Sequence, residues 1–267
     1  MTGLVSDRVP LGTLLRDWRR RRRLSQLDLA LEAGISARHL SFVETGRSRP
    51  SRQMVLHLAE QLDVPLRDRN QLLLAAGFAP AYGERGLDAP ELEPVRDAID
   101  RVLEGHEPYP AVVVDRWWDL VAANRSIALF TAGAASDLLE PPVNVLRLAL
   151  HPEGTAPRIV NLAEFRAHLL DRLRRHVALT ADERLAELYA EVSGYPAPAG
   201  DHGAGAAAGE IAVPLRLRAP EGDRELRLFS TIATFGTALD VTVAELAIEA
   251  FFPADPETAA ALRERAA

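Results

Sequence analysis

The chain has 267 residues, a net charge of −7 and no cysteine. At about 100 to 200 residues per domain this length predicts two domains, and the lack of cysteine excludes disulfide bonds and thiolate metal sites. Because the sequence has neither an apolar run of about 18 residues nor an apolar N-terminal signal region, we expect a soluble, cytoplasmic protein without a membrane span.

Charge is distributed unevenly along the chain. Residues 1–80 contain 13 arginines and 8 acidic residues, a balance of +5, whereas the rest contains 18 arginines and 30 acidic residues, a balance of −12. A basic segment in front of an acidic body is typical of a DNA-facing module attached to a domain that DNA repels. We therefore expect contact with DNA in the N-terminal part.

The first predicted helix covers residues 10–22. Five consecutive arginines, residues 19–23, lie at its end. Between two helices of a compact module, such a run indicates phosphate contacts or plain solvation rather than a nuclear address. The helix is predicted from apolar side chains at i, i+3, i+4 and i+7, which are Leu11, Leu14, Leu15 and Trp18.

Two short helices joined by a tight turn are predicted after the arginine run. Ser25 and Asp28 form a capping box at the start of the first, and Gly34 suits the left-handed conformation at its end. Ser36 is then the N-cap of the next helix, which begins at about Ala37. The pattern therefore predicts two consecutive helices that cross at a tight turn.

The helix after Ser36 has an apolar and a polar face. Leu40 and Val43 point back to the preceding helix. The outer face has few acidic residues, as a DNA-reading helix requires. The side chains on this outer face are Arg38, His39, Ser41, Phe42 and Thr45.

Two more helices complete the first domain. The apolar spacing between Val55 and Leu62 predicts the fourth helix, and a fifth begins at Pro65 and ends before Gly77. The sequence thus predicts an all-α bundle of five helices over residues 1–80.

This layout closely resembles the helix-turn-helix of the phage-repressor-like XRE family. The resemblance implies that the second and third helices sit on double-stranded DNA and that a homodimer reads half-sites about one helical turn apart. The matching residues are Gln26, Ala30, Gly34, Ile35, Leu40, Val43, Glu44, Gly46, Arg47, Ser48, Arg49, Pro50 and Ser51.

Roles on the DNA follow for the outer side chains. We expect Arg38 to donate two hydrogen bonds to a guanine, a contact that discriminates by about 1 to 3 kcal/mol. Ala37 and Phe42 are placed to touch thymine methyl groups. Relatives often carry a polar or basic residue at the position of Phe42, so an equal alternative is that Phe42 covers neighbouring side chains of the protein. His39 suits either bases or phosphates. The expected phosphate contacts are Gln26, Ser36, Ser41, Arg47 and Ser48.

A linker separates the two predicted domains. Residues 81–90 combine Pro, Gly and charged residues, as linkers do. Residues 91–267 then form the second domain, whose first helix ends near Gly105.

A hairpin and a helix follow in the second domain. Residues 110–115 read as a buried strand and residues 118–122 as its antiparallel partner. Asn124 is expected to cap a helix that continues through Phe130.

The rest of the second domain alternates between helix and strand signals. Apolar spacing predicts helices around residues 162–173 and 185–192, and a short helix over 256–265. Together with the hairpin, the late strands make an antiparallel sheet of about five strands with helices on one face, an α+β fold. These late strands, predicted from alternating apolar residues, cover 211–217, 226–235 and 246–252.

Residues 91–255 resemble the ligand-binding domain of MmyB-like transcription regulators, and the opening of the domain resembles a PAS domain. The resemblance implies an elongated apolar effector such as a fatty acid. The matching stretches are Val114-Asp115-Arg116, residues 118–125, residues 144–148 and the late strands.

A PAS-like sheet faced by helices readily encloses an apolar cavity with a few polar groups. Any one aromatic or aliphatic side chain in such a domain more often belongs to the core than to a ligand site. The candidate apolar lining residues are Trp117, Trp118, Val121, Phe130, Phe165, Phe229, Ile232 and Phe235. The candidate polar anchors are Asn124, His151, Arg166 and His168.

The sequence gives little support for catalysis, because it lacks a nucleophile elbow, a zinc-protease motif and a tight cluster of His and acidic residues. Residues 203–209 resemble the glycine-rich fingerprint of a dinucleotide-binding site, but that motif follows a strand and opens a helix. Here a Pro-rich loop precedes the glycines and a strand follows them, so we exclude a dinucleotide site. We expect no metal and no cofactor apart from a bound apolar effector. Two functions remain: an effector-responsive transcription regulator, or a DNA-binding regulator whose second domain only dimerises or binds a protein partner.

Overall fold

The computed structural model describes residues 9–196, 214–222 and 224–266. It divides into two compact units. The first contains the chain up to Arg85 together with Thr237–Ala244, and the second contains Gly86–Gly236 and the residues from Glu245 onward.

The first unit is a bundle of five helices, as predicted. They are α1 (Leu11–Arg21), α2 (Gln26–Glu32), α3 (Ala37–Glu44), α4 (Arg52–Gln61) and α5 (Leu66–Ala75). The side chains of Ser25, Ser36 and Ser51 accept backbone hydrogen bonds at the starts of α2, α3 and α4, and the capping box of Ser25 with Asp28 is complete. Gly34 has φ +63° and makes the turn between α2 and α3.

A buried ion pair joins α1 to the end of α3. Arg19 Nε donates to Glu44 Oε1 at 2.7 Å and Arg19 Nη2 donates to Glu44 Oε2 at 2.9 Å. Gln26 of α2 donates its amide N–H to the same carboxylate at 2.8 Å. The Glu44 side chain is only 2% exposed. Three helices of the bundle are therefore fixed by one carboxylate.

The run of five arginines does not act as one surface, contrary to the expectation of phosphate contacts or solvation. Arg19 is buried in the ion pair with Glu44. Arg22 donates to the carbonyl oxygens of Leu62 and Asp63, at the end of α4. The helical period separates these two side chains from the exposed members of the run, so sequence proximity alone misassigned them.

The second unit contains six of the described α-helices and all five of the described strands. Its helices are α6 (Glu93–Gly105), α7 (Ala128–Thr131), α8 (Val145–Leu150), α9 (Leu162–Thr180) and α10 (Glu183–Ser193), followed after the late strands by the last helix (Pro256–Ala266). Its strands are β1 (Ala111–Val114), β2 (Leu120–Ala123), β3 (Leu215–Arg218), β4 (Glu225–Thr234) and β5 (Ala247–Pro253).

All neighbouring strands pair antiparallel, in the order β2-β1-β5-β4-β3. This confirms the predicted α+β domain with a five-stranded antiparallel sheet. The strand predicted over 211–217 begins at Leu215, and residues 211–213, like residues 203–209, lie outside the described part of the chain.

Helices cover both faces of β1, whereas the sequence predicted helices on one face. Val112 and Val114 pack with side chains of α8, α9 and α10. Ala111 and Val113, on the opposite face, pack with Ile99 and Leu103 of α6. All four residues of β1 are buried for this reason.

The hairpin between β1 and β2 differs from the prediction. The Asp115 carboxylate accepts hydrogen bonds from the backbone N–H groups of Trp117 and Asp119, and Trp118 takes φ +68°. This turn delays the second strand, which begins at Leu120 rather than at Trp118.

The sequence predicted that Asn124 caps the following helix, but its side chain makes no capping hydrogen bond there. Its side-chain oxygen accepts from the Ala111 N–H at 3.0 Å, and its amide nitrogen donates to the carbonyls of Leu103 and Tyr109. The residue is buried, and it satisfies the backbone where α6 leads into β1. The non-local contact overrides the local capping preference.

The segment Thr237–Ala244, which connects β4 to β5, folds with the first unit. It contains the short helix α11 (Val241–Ala244). Val241 donates its backbone N–H to the Gly83 carbonyl at 2.8 Å, and Asp240 pairs with Arg85 at 3.0 Å. The Asp240 carboxylate also accepts from the Thr242 N–H at 3.0 Å.

Gly12 of α1 lies against the backbone at the end of α3. A Cβ at Gly12 would lie 2.2 Å from the Glu44 carbonyl oxygen. We expect Gly12→Ala to lower the melting temperature in calorimetry, because overpacking costs about 1 to 3 kcal/mol and exceeds the helix-propensity gain of about 1 kcal/mol. Arg20→Ala, at an exposed position of the same helix, is the control. An unchanged or raised melting temperature for Gly12→Ala contradicts this close approach.

The stability of the first unit should depend on the ionisation of Glu44. Burial raises the pKa of the Glu44 carboxyl, but the hydrogen bonds from Arg19 and Gln26 outweigh it and hold the pKa below the ordinary value of 4.5. The resulting stabilisation is complete above that ordinary value and is lost as the pH falls through the lower folded-state pKa.

We expect Glu44→Gln to destabilise the protein by about 3 kcal/mol at neutral pH, since it leaves Arg19 buried without a counter-ion. The difference between the wild type and the variant should shrink as the pH falls below 4.5. Calorimetry from pH 7 to pH 3 measures it. A difference that stays constant over this range would show that the charge on Glu44 contributes nothing.

Candidate DNA-reading surface and effector cavity

The outer face of α3 is exposed because its inner face is anchored. Leu40 and Val43 are buried in the core of the first unit, and the Ser36 side chain accepts the His39 N–H at the helix start. Arg38 and Thr45 are exposed on the outer face. The arrangement presents one guanidinium group from a rigid helix, as base reading requires.

Phe42 supports Arg38 on this surface. The Arg38 guanidinium carbon lies 5.3 Å from the centroid of the Phe42 ring, within the range of a cation–π contact. The two residues are four positions apart, so they lie on the same side of the helix. Phe42 is half-buried, and its contact with Arg38 orients the longer side chain.

The other predicted DNA contacts occupy different environments. Arg47 is exposed, while His39, Ser41 and Ser48 are half-buried. The Thr45 hydroxyl donates to the Ser41 carbonyl at 2.7 Å. Two predicted contacts also have structural roles: Ala37 packs against the core, and Gln26 donates to Glu44.

An apolar cavity of about 70 Å³ lies in the second unit, between the sheet and helices α8 and α9. Three predicted ligand contacts line it: Trp118, Phe130 and Phe165. The remaining lining residues, which the sequence analysis missed, are Val112, Ile127, Val145, Leu146, Leu148, Ala149, Thr155, Ile159, Leu169, Leu215, Glu249 and Phe251. Most of them lie on α8 and on strands whose inward faces become evident only when the sheet is assembled.

The other predicted apolar ligand contacts do not line this cavity. Val121 is 38% exposed, and Phe229 and Ile232 lie on the part of β4 whose side chains are exposed. Phe235 packs with the cluster that contains Ile99. The Trp117 indole donates to Asp182 at 3.2 Å, away from the cavity.

The predicted polar anchors also have other partners. Asn124 is saturated by backbone groups, as described above. Arg166 donates to the Ser193 carbonyl at 2.7 Å, and the His151 ring meets the Tyr195 ring edge-on with centroids 5.0 Å apart. His168 is exposed. None of these four side chains is among the described residues that line the cavity.

Glu249 is the ionisable residue that the sequence analysis missed at the cavity. It lies on β5 and is 9% exposed, and Arg172 of α9 donates to its carboxylate at 3.4 Å. The Arg172 guanidinium carbon also lies 4.2 Å from the centroid of a Trp118 ring. The sequence signal was an acid between apolar residues of a strand, on the face opposite to Ile248.

A second, wider cleft of about 690 Å³ lies between α6, α7 and the last helix. Its lining combines acidic residues such as Asp100 and Glu104 with the basic residues Arg125 and Arg265. An apolar effector finds no matching surface in a cleft with so many charges. The smaller cavity is therefore the better candidate for such an effector.

The described residues include no group of three or more His, Cys, Asp or Glu that is arranged to hold a metal ion. None of the described helices is both long and apolar enough to cross a membrane.

Family models of known proteins match both units of the chain. The family model described as MmyB-like transcription regulator ligand binding domain matches residues 95–264, and a model described as helix-turn-helix matches residues 15–68. A comparison with curated proteins finds no match.

Among solved structures, the chain is similar to the clp gene regulator ClgR from Corynebacterium glutamicum. The two are 24% identical, and the match covers 37% of this chain and 90% of that chain with a TM-score of 0.22, which is too low to support a structural argument. The family models are more informative, because the first of them spans more than half of the chain. The chain thus belongs to the MmyB-like transcription regulators and is a DNA-binding transcription regulator with a helix-turn-helix and an MmyB-like ligand-binding domain.

Proposed function

We propose that this regulator reads its operator with α3 and that its second domain binds a small, elongated apolar effector with a fatty-acid-like alkyl chain. The observation that carries the first half is the exposed Arg38 on a capped helix with a buried inner face. The observation that supports effector binding is the apolar cavity that Trp118 lines. We further propose that the protein acts as a cytoplasmic homodimer on two half-sites.

Each side chain of the DNA-reading surface has a proposed role. Arg38 contacts guanine O6 and N7, and Ala37 and Phe42 approach thymine methyl groups. His39 and Thr45 face the groove beside them. Phosphate contacts come from Gln26, Ser36, Ser41, Arg47 and Ser48, which fix the register of the helix on the duplex.

The size of the cavity has a consequence for effector binding. Its volume of about 70 Å³ is well below the range of about 300 to 1,000 Å³ of small-molecule sites. An elongated effector therefore separates the cavity walls as it enters. Such an effector binds the opened arrangement more tightly than the closed one, which is the requirement for a ligand to shift a conformational equilibrium.

The small cavity also favours a second candidate function. In this alternative, the second domain mediates dimerisation or binds a protein partner and takes no small molecule. The exposed ring of Phe229 on β4, stacked on the Phe252 ring of β5 with centroids 5.4 Å apart, supports it, since exposed apolar groups that lie together mark interaction surfaces.

DNA binding by two arginine variants tests the proposed roles. Arg38→Ala should lose about 1 to 3 kcal/mol of discrimination at one base position, because it removes a bidentate contact to guanine. Arg47→Ala should weaken binding to all sequences and make the dependence on salt less steep by about one unit of slope. Fluorescence anisotropy with single-base operator variants at several salt concentrations measures both. Equal effects of the two substitutions on every sequence would refute base reading by Arg38.

Ligand binding separates the two candidate functions. Native mass spectrometry of the purified protein should show a co-purified apolar molecule, and short-chain amphiphiles should raise the melting temperature of protein stripped by organic extraction. Ala149→Leu narrows the cavity and should abolish this stabilisation. Ala167→Leu, at an exposed position of α9, is the matched control. A stripped protein that responds to no amphiphile favours the interaction module.

A further inference from the structure

The charged groups at the cavity indicate which head group an effector carries. Among the described residues that line the cavity, the one ionisable side chain is the acid Glu249. Neither Arg nor His is among them. A carboxylate head group in this cavity would meet a second carboxylate.

The nearby arginine does not provide a free positive charge. Arg172 pairs with Glu249 at 3.4 Å and covers a Trp118 ring. Burial lowers the pKa of Arg172, and the neighbouring Glu249 opposes this effect. Because the ion pair joins one positive and one negative group, it is neutral as a whole, and an anionic head group beside it would add a buried charge without a counter-ion, which is costly.

Trp118 supplies a donor that lacks an acceptor. Its side chain lines the cavity and the residue is only 6% exposed. The indole N–H is buried and has no hydrogen-bond partner among the described residues. Buried polar groups are nearly always hydrogen-bonded in proteins, so a ligand that offers an acceptor here gains a contact that the protein alone leaves open.

We propose that the cavity selects an uncharged hydroxyl head group on an alkyl chain over a carboxylate, the hydroxyl oxygen accepting from Trp118 Nε1 and the hydroxyl proton being donated to Glu249. The inference rests on the proposed effector function and specifies the chemical class of the effector. The apolar side chains around the head group contact its alkyl chain.

Arg158 is the rival anchor for an acid. Its guanidinium group donates to the carbonyl oxygens of Leu129 and Phe130, and its Nε and Nη1 are buried without a partner in the described structure. Arg158 is not among the described lining residues of the cavity. A carboxylate bound there would have to lie beyond the cavity wall.

The test compares 1-hexanol with hexanoate, two probes of equal chain length, by isothermal titration calorimetry on the full chain at pH 7. The alcohol should bind at least about tenfold more tightly, because hexanoate meets like charge. Trp118→Phe removes the donor but retains a ring, and it should weaken binding of the alcohol. Glu249→Gln removes the carboxylate and should narrow the preference. Circular dichroism confirms that each variant is folded.

The outcomes distinguish this inference from the effector function on which it rests. Tighter binding of hexanoate, abolished by Arg158→Gln, overturns the head-group assignment and leaves the effector function intact. Binding of neither probe, nor of longer alcohols and acids, overturns both. The comparison between alcohol and acid uses the wild-type chain, so it remains decisive if a variant fails to fold.

Discussion

The buried carboxylate of Glu44 is the constraint on which the proposed DNA-reading surface depends. Arg19 of α1 and Gln26 of α2 both donate to it, and Glu44 itself is the last residue of α3. A charge in the interior of a small bundle is stable only when its partners are held in place. The same contacts that satisfy this charge therefore fix the orientation of α3, and with it the direction in which Arg38 leaves the surface.

Much of the first unit was predictable from the sequence because its signals are local. The serine caps, the turn at Gly34 and the apolar spacing of each helix lie within a few residues of what they determine. The second unit was less predictable in detail. Asn124 is a residue type that often caps helices, yet its hydrogen-bond partners Leu103 and Tyr109 belong to the preceding helix and loop. Only the folded arrangement brings them together.

The cavity illustrates the same limit for a candidate site. Of the aromatic residues that the sequence analysis proposed, Trp118, Phe130 and Phe165 line the cavity. It gave no basis for separating them from Phe229, which has the same chemistry but lies on the exposed part of β4. Glu249 was missed since the importance of a lone acid in a strand depends on the face it occupies. That face is set by pairing with β1 and β4, which are distant in sequence.

The segment Thr237–Ala244 has a consequence for how the protein is dissected. The polypeptide passes from one unit to the other three times, after Arg85, before Thr237 and after Ala244. A gene fragment that ends at the first crossing would encode the helix-turn-helix without α11 and would leave the Gly83 carbonyl without its backbone donor. The first unit is therefore compact in space but is encoded by two separate stretches of the gene. Exchanging it between relatives would require both stretches to be exchanged together.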